Sequence, residues 1–272
     1  MIRFFKQGFA GTNKNLGFVG VLFLIDVFLI ILSGILSLEW ISDQASARVI
    51  VLHYDIFKIV RAAPEFIKLA VEIFVVSGSI AAAGQFITSG HIKIDAFFRS
   101  GIKSYLRLCL LTLIWFLTAV LPTFAVALPY IYFFDGAVNL ATGILIAAIA
   151  IFMLTMTVFF FFAPFILVLD GTRTIESIRK SFGAAKKNFG AILSFIGIYF
   201  AIMLALYFLG TVAVSAYLGT VELLTQSSRI GQFARFSIEA IFSFAARYIY
   251  IAGVIATALF YNKIKNSNEK EL

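Results

Sequence analysis

Residues 108–169 read LCLLTLIWFLTAVLPTFAVALPYIYFFDGAVNLATGILIAAIAIFMLTMTVFFFFAPFILVL, and this stretch decides the fold. Its 62 residues carry one charged side chain, Asp135. A bilayer core about 30 Å thick takes roughly 20 apolar residues at about 1.5 Å each. One helix cannot use so long a run, but two can if Asp135-Gly136 forms the turn between them. The reading therefore predicts spans near 105–130 and 138–168.

The same rule, applied outward, predicts further spans near 16–38, 64–89, 189–217 and 239–261. The expected fold is all-α: a single domain over 1–272, a polytopic bundle of six transmembrane helices with interfacial amphipathic helices. Continuously apolar runs do not fit the alternating strands of a membrane barrel. Composition agrees, with 61% apolar and 13% charged residues and a mean hydropathy of +1.00; soluble domains carry about 25% charge. A disulfide scaffold is excluded because Cys109 is the sole cysteine. The first apolar run exceeds a usual signal-peptide core and no clear small-x-small site follows, so it is read as a span.

Basic residues set the orientation. With the N-terminus inside, 15 of 22 fall on the inner side, among them Arg3, Lys6, Lys14, Arg99, Arg107, Arg179, Lys180, Lys186, Lys187 and Lys265. Six fall outside and Arg247 lies within a span. Both termini are expected in the cytoplasm and the protein in the cell membrane. The net charge of +8 is then topological and predicts no nucleic-acid partner.

Two loops carry helical periodicity. Val49, Leu52, Ile56, Ile59 and Ala63 predict an outer amphipathic helix, with Pro64 in the first turn of the next span. Ile175, Ile178, Phe182, Ala185 and Phe189 predict an inner one over 172–187, with Ile175, Ile178 and Phe182 facing the membrane. Three inner segments align: Phe5-Lys6-Gln7-Gly8, Phe98-Arg99-Ser100-Gly101 and Ile178-Arg179-Lys180-Ser181. Each has a second basic residue eight positions after the first, at Lys14, Arg107 and Lys187. Asn15 and Asn188 follow in the first and third copies, which suggests a threefold repeat. Small residues at 77–84 and at Gly197, Ala201 and Ala205 predict close helix packing. Pro122, Pro129 and Pro164 predict kinks, and the Phe run at 159–162 predicts lipid-facing or packing surface.

Pro164, then Asp170-Gly171, then a short segment from Ile175 to Ser181, then Lys186-Lys187-Asn188, make a pattern similar to that of a broad family of bacterial and archaeal six-helix membrane proteins. A similar unit forms the membrane domain of some glycerophosphodiester phosphodiesterases. The resemblance covers about residues 80–262; many members have a proline-glycine pair where this chain has Pro129-Tyr130. It implies the six-helix fold and no agreed activity, and these 272 residues show no phosphodiesterase catalytic domain.

The sequence contains no GxxxxGK[ST], HExxH or GxSxG motif. His53 and His91 fall on opposite sides of the membrane in this topology, so no metal is expected, and no cofactor. The expected function is non-enzymatic, in lipid handling or membrane organisation. Arg99, Arg107, Arg179, Lys180, Lys186 and Lys187 are the candidate lipid head-group contacts. A small-solute transporter or channel is the alternative, raised by Asp26, Lys68, Glu72, Gln85 and Arg247 within spans. A scaffold for another membrane protein is a third, and a second copy of this chain or another membrane protein are the expected partners besides lipid. Asp26 and Arg247 lie at comparable depths and are expected to pair. Lys68 and Glu72, at i,i+4, are expected to pair with each other.

Overall fold

The structure, a computed structural model, describes residues 1–36, 54–133, 140–225 and 228–269. Their regular structure is helical throughout: α1 (Ile2–Lys14), α2 (Leu16–Leu36), α3 (Tyr54–Ser89), α4 (Ile94–Trp115), α5 (Leu121–Phe133), α6 (Leu140–Phe160), α7 (Ala163–Leu169), α8 (Thr174–Thr225) and α9 (Ser228–Glu269), with a π-helical turn, Phe116–Val120, joining α4 to α5. Five stretches are long and apolar enough to cross a membrane: Glu65–Ser89, Ile94–Leu128, Thr142–Leu169, Thr174–Ala213 and Ala240–Ser267. α1 and the first part of α2 meet the same criterion jointly, bent by 82°. The protein is an all-α membrane bundle.

The helix breaks have local causes. Proline lacks an N–H and frees a carbonyl one turn back, so the π turn precedes Pro122 and absorbs the mismatch. At Pro164 the helix stops after Phe160 and restarts at Ala163. α5 continues through Pro129, and α3 runs as one helix from Tyr54 through Pro64, so Pro64 is interior to a helix rather than in its first turn. The outer segment at 39–53 and the Asp135-Gly136 turn lie outside the described residues.

The inner amphipathic segments do not stand apart from the spans. α4 and α8 each continue from such a segment into an apolar stretch long enough to cross a membrane. α8 kinks at Asn188, whose backbone is at φ −125° and ψ 25°. Asn15, between α1 and α2, is at φ −127° and ψ 38°. Both asparagine amides donate to the carbonyl four residues back, Asn15 Nδ2 to Gly11 at 2.8 Å and Asn188 Nδ2 to Ala184 at 3.1 Å. The second copy has Leu108 at this place, and α4 passes through it unbroken.

The aligned Gly8, Gly101 and Ser181 are all buried at close contacts. A Cβ on Gly8 would lie 2.3 Å from the Ala252 carbonyl oxygen, and one on Gly101 would lie 2.8 Å from the Phe74 ring. The Ser181 hydroxyl donates to the Phe159 carbonyl at 2.6 Å, an acceptor left without its helical partner by the break before Pro164. Lys6, Arg99 and Arg179, also aligned, are exposed. In each of the three aligned segments a small residue thus makes a close buried contact while the aligned basic side chain stays outside.

The core surrounds the C-terminal half of α9, where Ile251, Ala252, Ile255 and Ala256 are buried. α1 lies antiparallel along it, with Phe9 against Tyr248 and Phe4 against Phe260. Phe5, Phe195 and Phe260 stack in series, at 4.6 and 5.2 Å between centroids. Lipid is as apolar as a core, so such close packing and not water exclusion holds the helices together. The small residues at 77–84 serve it: Gly78 admits Phe97 and Gly84 admits Leu169. The predicted packing stripe on α8 does not. Gly197 has nothing within 4 Å, and Ala201 and Ala205 are exposed.

The inner stripe of α8 is also corrected. Phe182 packs on Phe159 and Phe160, and Ile178 joins the same cluster, so both face the protein. Thr174, Ser177, Ser181 and Ala185 form the buried line, small enough for close approach. Ile175 alone of the predicted membrane-facing trio points away, 69% exposed. The Phe run is packing surface, with Phe162 fully buried against Phe260 and Tyr261.

Candidate functional site

Three helices each bring one charge to a common point. α2 contributes Asp26, α3 Glu72 and α9 Arg247. Arg247 Nε donates to Asp26 Oδ2 at 2.6 Å, and Nη2 donates to Asp26 Oδ1, so the pair is bidentate. Nη1 reaches Glu72 Oε2 at 3.3 Å, and Nη2 also donates to Glu72 Oε1. Asp26 and Arg247 side chains are each 13% exposed, and Glu72 is 36% exposed. The guanidinium carbon also sits 5.6 Å from the centre of the Tyr250 ring, within cation–π range. A lone charge at the bilayer centre costs about 2.5–3.5 kcal/mol on insertion scales, and this mutual neutralisation offsets much of it.

Asp26 and Arg247 thus meet. The expected Lys68–Glu72 pair is not formed: Glu72 turns to Arg247 instead, because a guanidinium already inside the bundle offers it two donors. Glu72 is the member the sequence reading missed as part of the cluster. Its i,i+4 relation to Lys68 offered a nearer explanation, and the available signal was its place two turns inside the span from Glu65.

A cavity of about 530 Å³ opens beside the cluster, lined by Asp26, Leu29, Ile30, Lys68, Glu72, Met203, Ser243, Ala246, Arg247 and Tyr250. Among the described residues, two carboxylates, one guanidinium and one ammonium balance in its wall, with exposed Lys68 one helical turn from Glu72. A second cavity, about 400 Å³, shares Glu72 and is otherwise almost wholly apolar, lined by Leu69, Ile73, Val76, Leu108, Leu111, Thr112, Trp115, Thr157, Phe160, Phe161 and Pro164. Ser79 and Tyr250 hydroxyls are buried without a hydrogen-bond partner among the described residues.

The end of the bundle at Asp170 and Lys265 is held by polar contacts. Asp170 accepts from Tyr261 at 2.6 Å and from Lys265 at 2.9 Å. Gly171, at φ +66°, makes the turn that a side chain would strain. Arg107 Nη1 donates to the Gly171 and Thr172 carbonyls at 3.0 and 3.2 Å. Of the candidate head-group contacts, Arg107 is therefore committed to this turn. Arg99 pairs with Asp95 at 3.0 Å and Lys180 with Glu176 at 2.7 Å. Arg179, Lys186 and Lys187 are exposed. A third cavity, about 480 Å³, adjoins this end, with Gln85, Ser100, Asp170, Tyr261, Asn262 and Lys265 in its wall.

His53 lies outside the described residues, and among those described no group of three His, Cys, Asp or Glu side chains could hold a metal ion. No family model, no curated protein and no solved structure matches this chain. What the geometry provides is a wall of both signs of charge beside an apolar groove, both between helices long and apolar enough to cross a membrane.

Proposed function

We propose that this protein handles membrane lipid without catalysing a reaction. The observation that carries the reading is the position of Glu72, which forms part of both a charged cavity and an apolar one. An amphiphile needs such a junction: a polar group kept hydrated or paired, and a chain kept dry. The bias of basic residues supports a cell-membrane protein with both termini cytoplasmic. In that orientation Arg179, Lys186 and Lys187 face the inner leaflet, where each adds about 1 kcal/mol of attraction to anionic lipid. The likeness to the six-helix family fits the bundle, and the Pro164–Asn188 motif then acts as scaffold.

Lipid retained by the purified chain tests this. Lipid should survive gel filtration in detergent, and Leu111→Trp, which fills the apolar cavity, should reduce it. Equal retention by both proteins contradicts the reading.

Four ionisable side chains around one intramembrane cavity support a second reading, solute transport. Solute-selective flux across liposomes containing the protein, abolished by Glu72→Gln, would favour it over lipid handling.

A further inference from the structure

The charged cavity has an order to its charges. Arg247 is covered: Asp26 holds it in a bidentate pair and Glu72 takes its remaining reach. The triad of one guanidinium and two carboxylates keeps one surplus negative charge. That surplus is most accessible on Glu72, the most exposed of the three. Among the described residues, the positive charge in the wall outside the triad is Lys68, exposed and one turn nearer the N-terminus of α3. Side chains at i,i+4 have Cβ atoms about 5–6 Å apart. The cavity thus offers a negative and a positive group separated by about one helical turn.

We propose, resting on the lipid-handling reading, that this cavity takes the head group of a zwitterionic phospholipid bearing a primary ammonium. The ammonium donates to Glu72, the phosphate accepts from Lys68, and one acyl chain, which leaves the head group on the phosphate side, turns back past Glu72 into the groove lined by Ile73, Val76, Leu111 and Trp115. The two-carbon linker of an aminoethyl phosphate sets its charges about one helical turn apart, matching the pair. An anionic head would find Lys68 but also the surplus negative charge of the triad. A quaternary ammonium has no N–H to give a carboxylate and is held best over aromatic faces. Among the described residues the wall has one aromatic, Tyr250, and Arg247 already occupies its ring.

Native mass spectrometry of the delipidated full chain in detergent, titrated with dioleoyl lipids of ethanolamine, choline or glycerol head group, tests the proposal. The ethanolamine lipid should bind roughly tenfold more tightly than the other two, the scale of one charge-assisted contact. Glu72→Gln should erase that preference. Lys68→Gln, at an exposed position outside the ion triad, removes the partner of the phosphate that all three lipids carry and should weaken all three. Equal binding of all three lipids, a preference for another head, or a preference that survives Glu72→Gln overturns the head-group assignment while leaving lipid handling in place. If Glu72→Gln does not fold, unchanged zwitterion binding by Lys68→Gln overturns it. Binding of none of the three lipids overturns both.

Discussion

Asn15 and Asn188 hold the same backbone conformation at the same place in two units of the chain, and each side-chain amide donates to the carbonyl four residues back. The side chain replaces a backbone bond that the bend removes. Asn15 does more, because its Oδ1 also accepts from the Ile92 N–H at 2.9 Å. Asn15→Ala should therefore destabilise the protein more than Asn188→Ala, by about 1–3 kcal/mol against about 1 kcal/mol. Thermal unfolding of both variants in the same detergent checks the ordering; equal losses contradict it.

The ion triad should behave as one unit. Asp26→Asn leaves Arg247 with half its partners and should cost about 3–5 kcal/mol, as breaking a buried pair does. In an Arg247→Gln background the same change should cost less, with a coupling of about 0.5–3 kcal/mol. Additive losses in this double-mutant cycle would mean the two side chains do not interact.

Glycines separate packing positions from open ones. Gly8→Val places a Cβ against the Ala252 carbonyl, a backbone atom that cannot yield, and should prevent folding. Gly197→Ala meets nothing within 4 Å and should stabilise α8 by about 0.5–1 kcal/mol through reduced backbone entropy. Expression and melting temperature distinguish the two; a neutral Gly8→Val would contradict the α1–α9 contact.

Ser181 satisfies a carbonyl that the Pro164 break releases. Ser181→Ala should leave the Phe159 oxygen unpaired beside the α8 entry segment and cost about 1–3 kcal/mol. Limited proteolysis of the 172–187 segment reads this out, faster in the variant than in the parent. Unchanged cleavage would show that the hydroxyl does not hold the segment.

The spans were legible because a charge-free run of bilayer length has few other uses, as 108–169 shows. Which face of each helix meets protein was not. Gly197, Ala201 and Ala205 look the same in sequence as the small residues at 77–84, and lipid and protein interior are equally apolar. Phe182 reads as membrane-facing in sequence for the same reason. Asp26 and Arg247 could be matched by depth because each is an isolated charge within its span. Glu72 was hidden by a local partner at i,i+4, while its contact with Arg247 depends on how α3 and α9 pack. The asparagine breaks were visible as a repeated residue, but a repeated residue does not give an angle, and the 82° bend follows from α1 docking along α9.

Photo-crosslinking with a phospholipid carrying a diazirine near the end of its acyl chain tests the central claim most directly. Lipid handling at the Glu72 junction predicts adducts on peptides containing Ile73, Leu111 or Trp115, reduced by Leu111→Trp. Adducts confined to the exposed outer face of α8, at Leu204, Tyr207 and Phe208, would show that lipid only surrounds the bundle and would contradict the account.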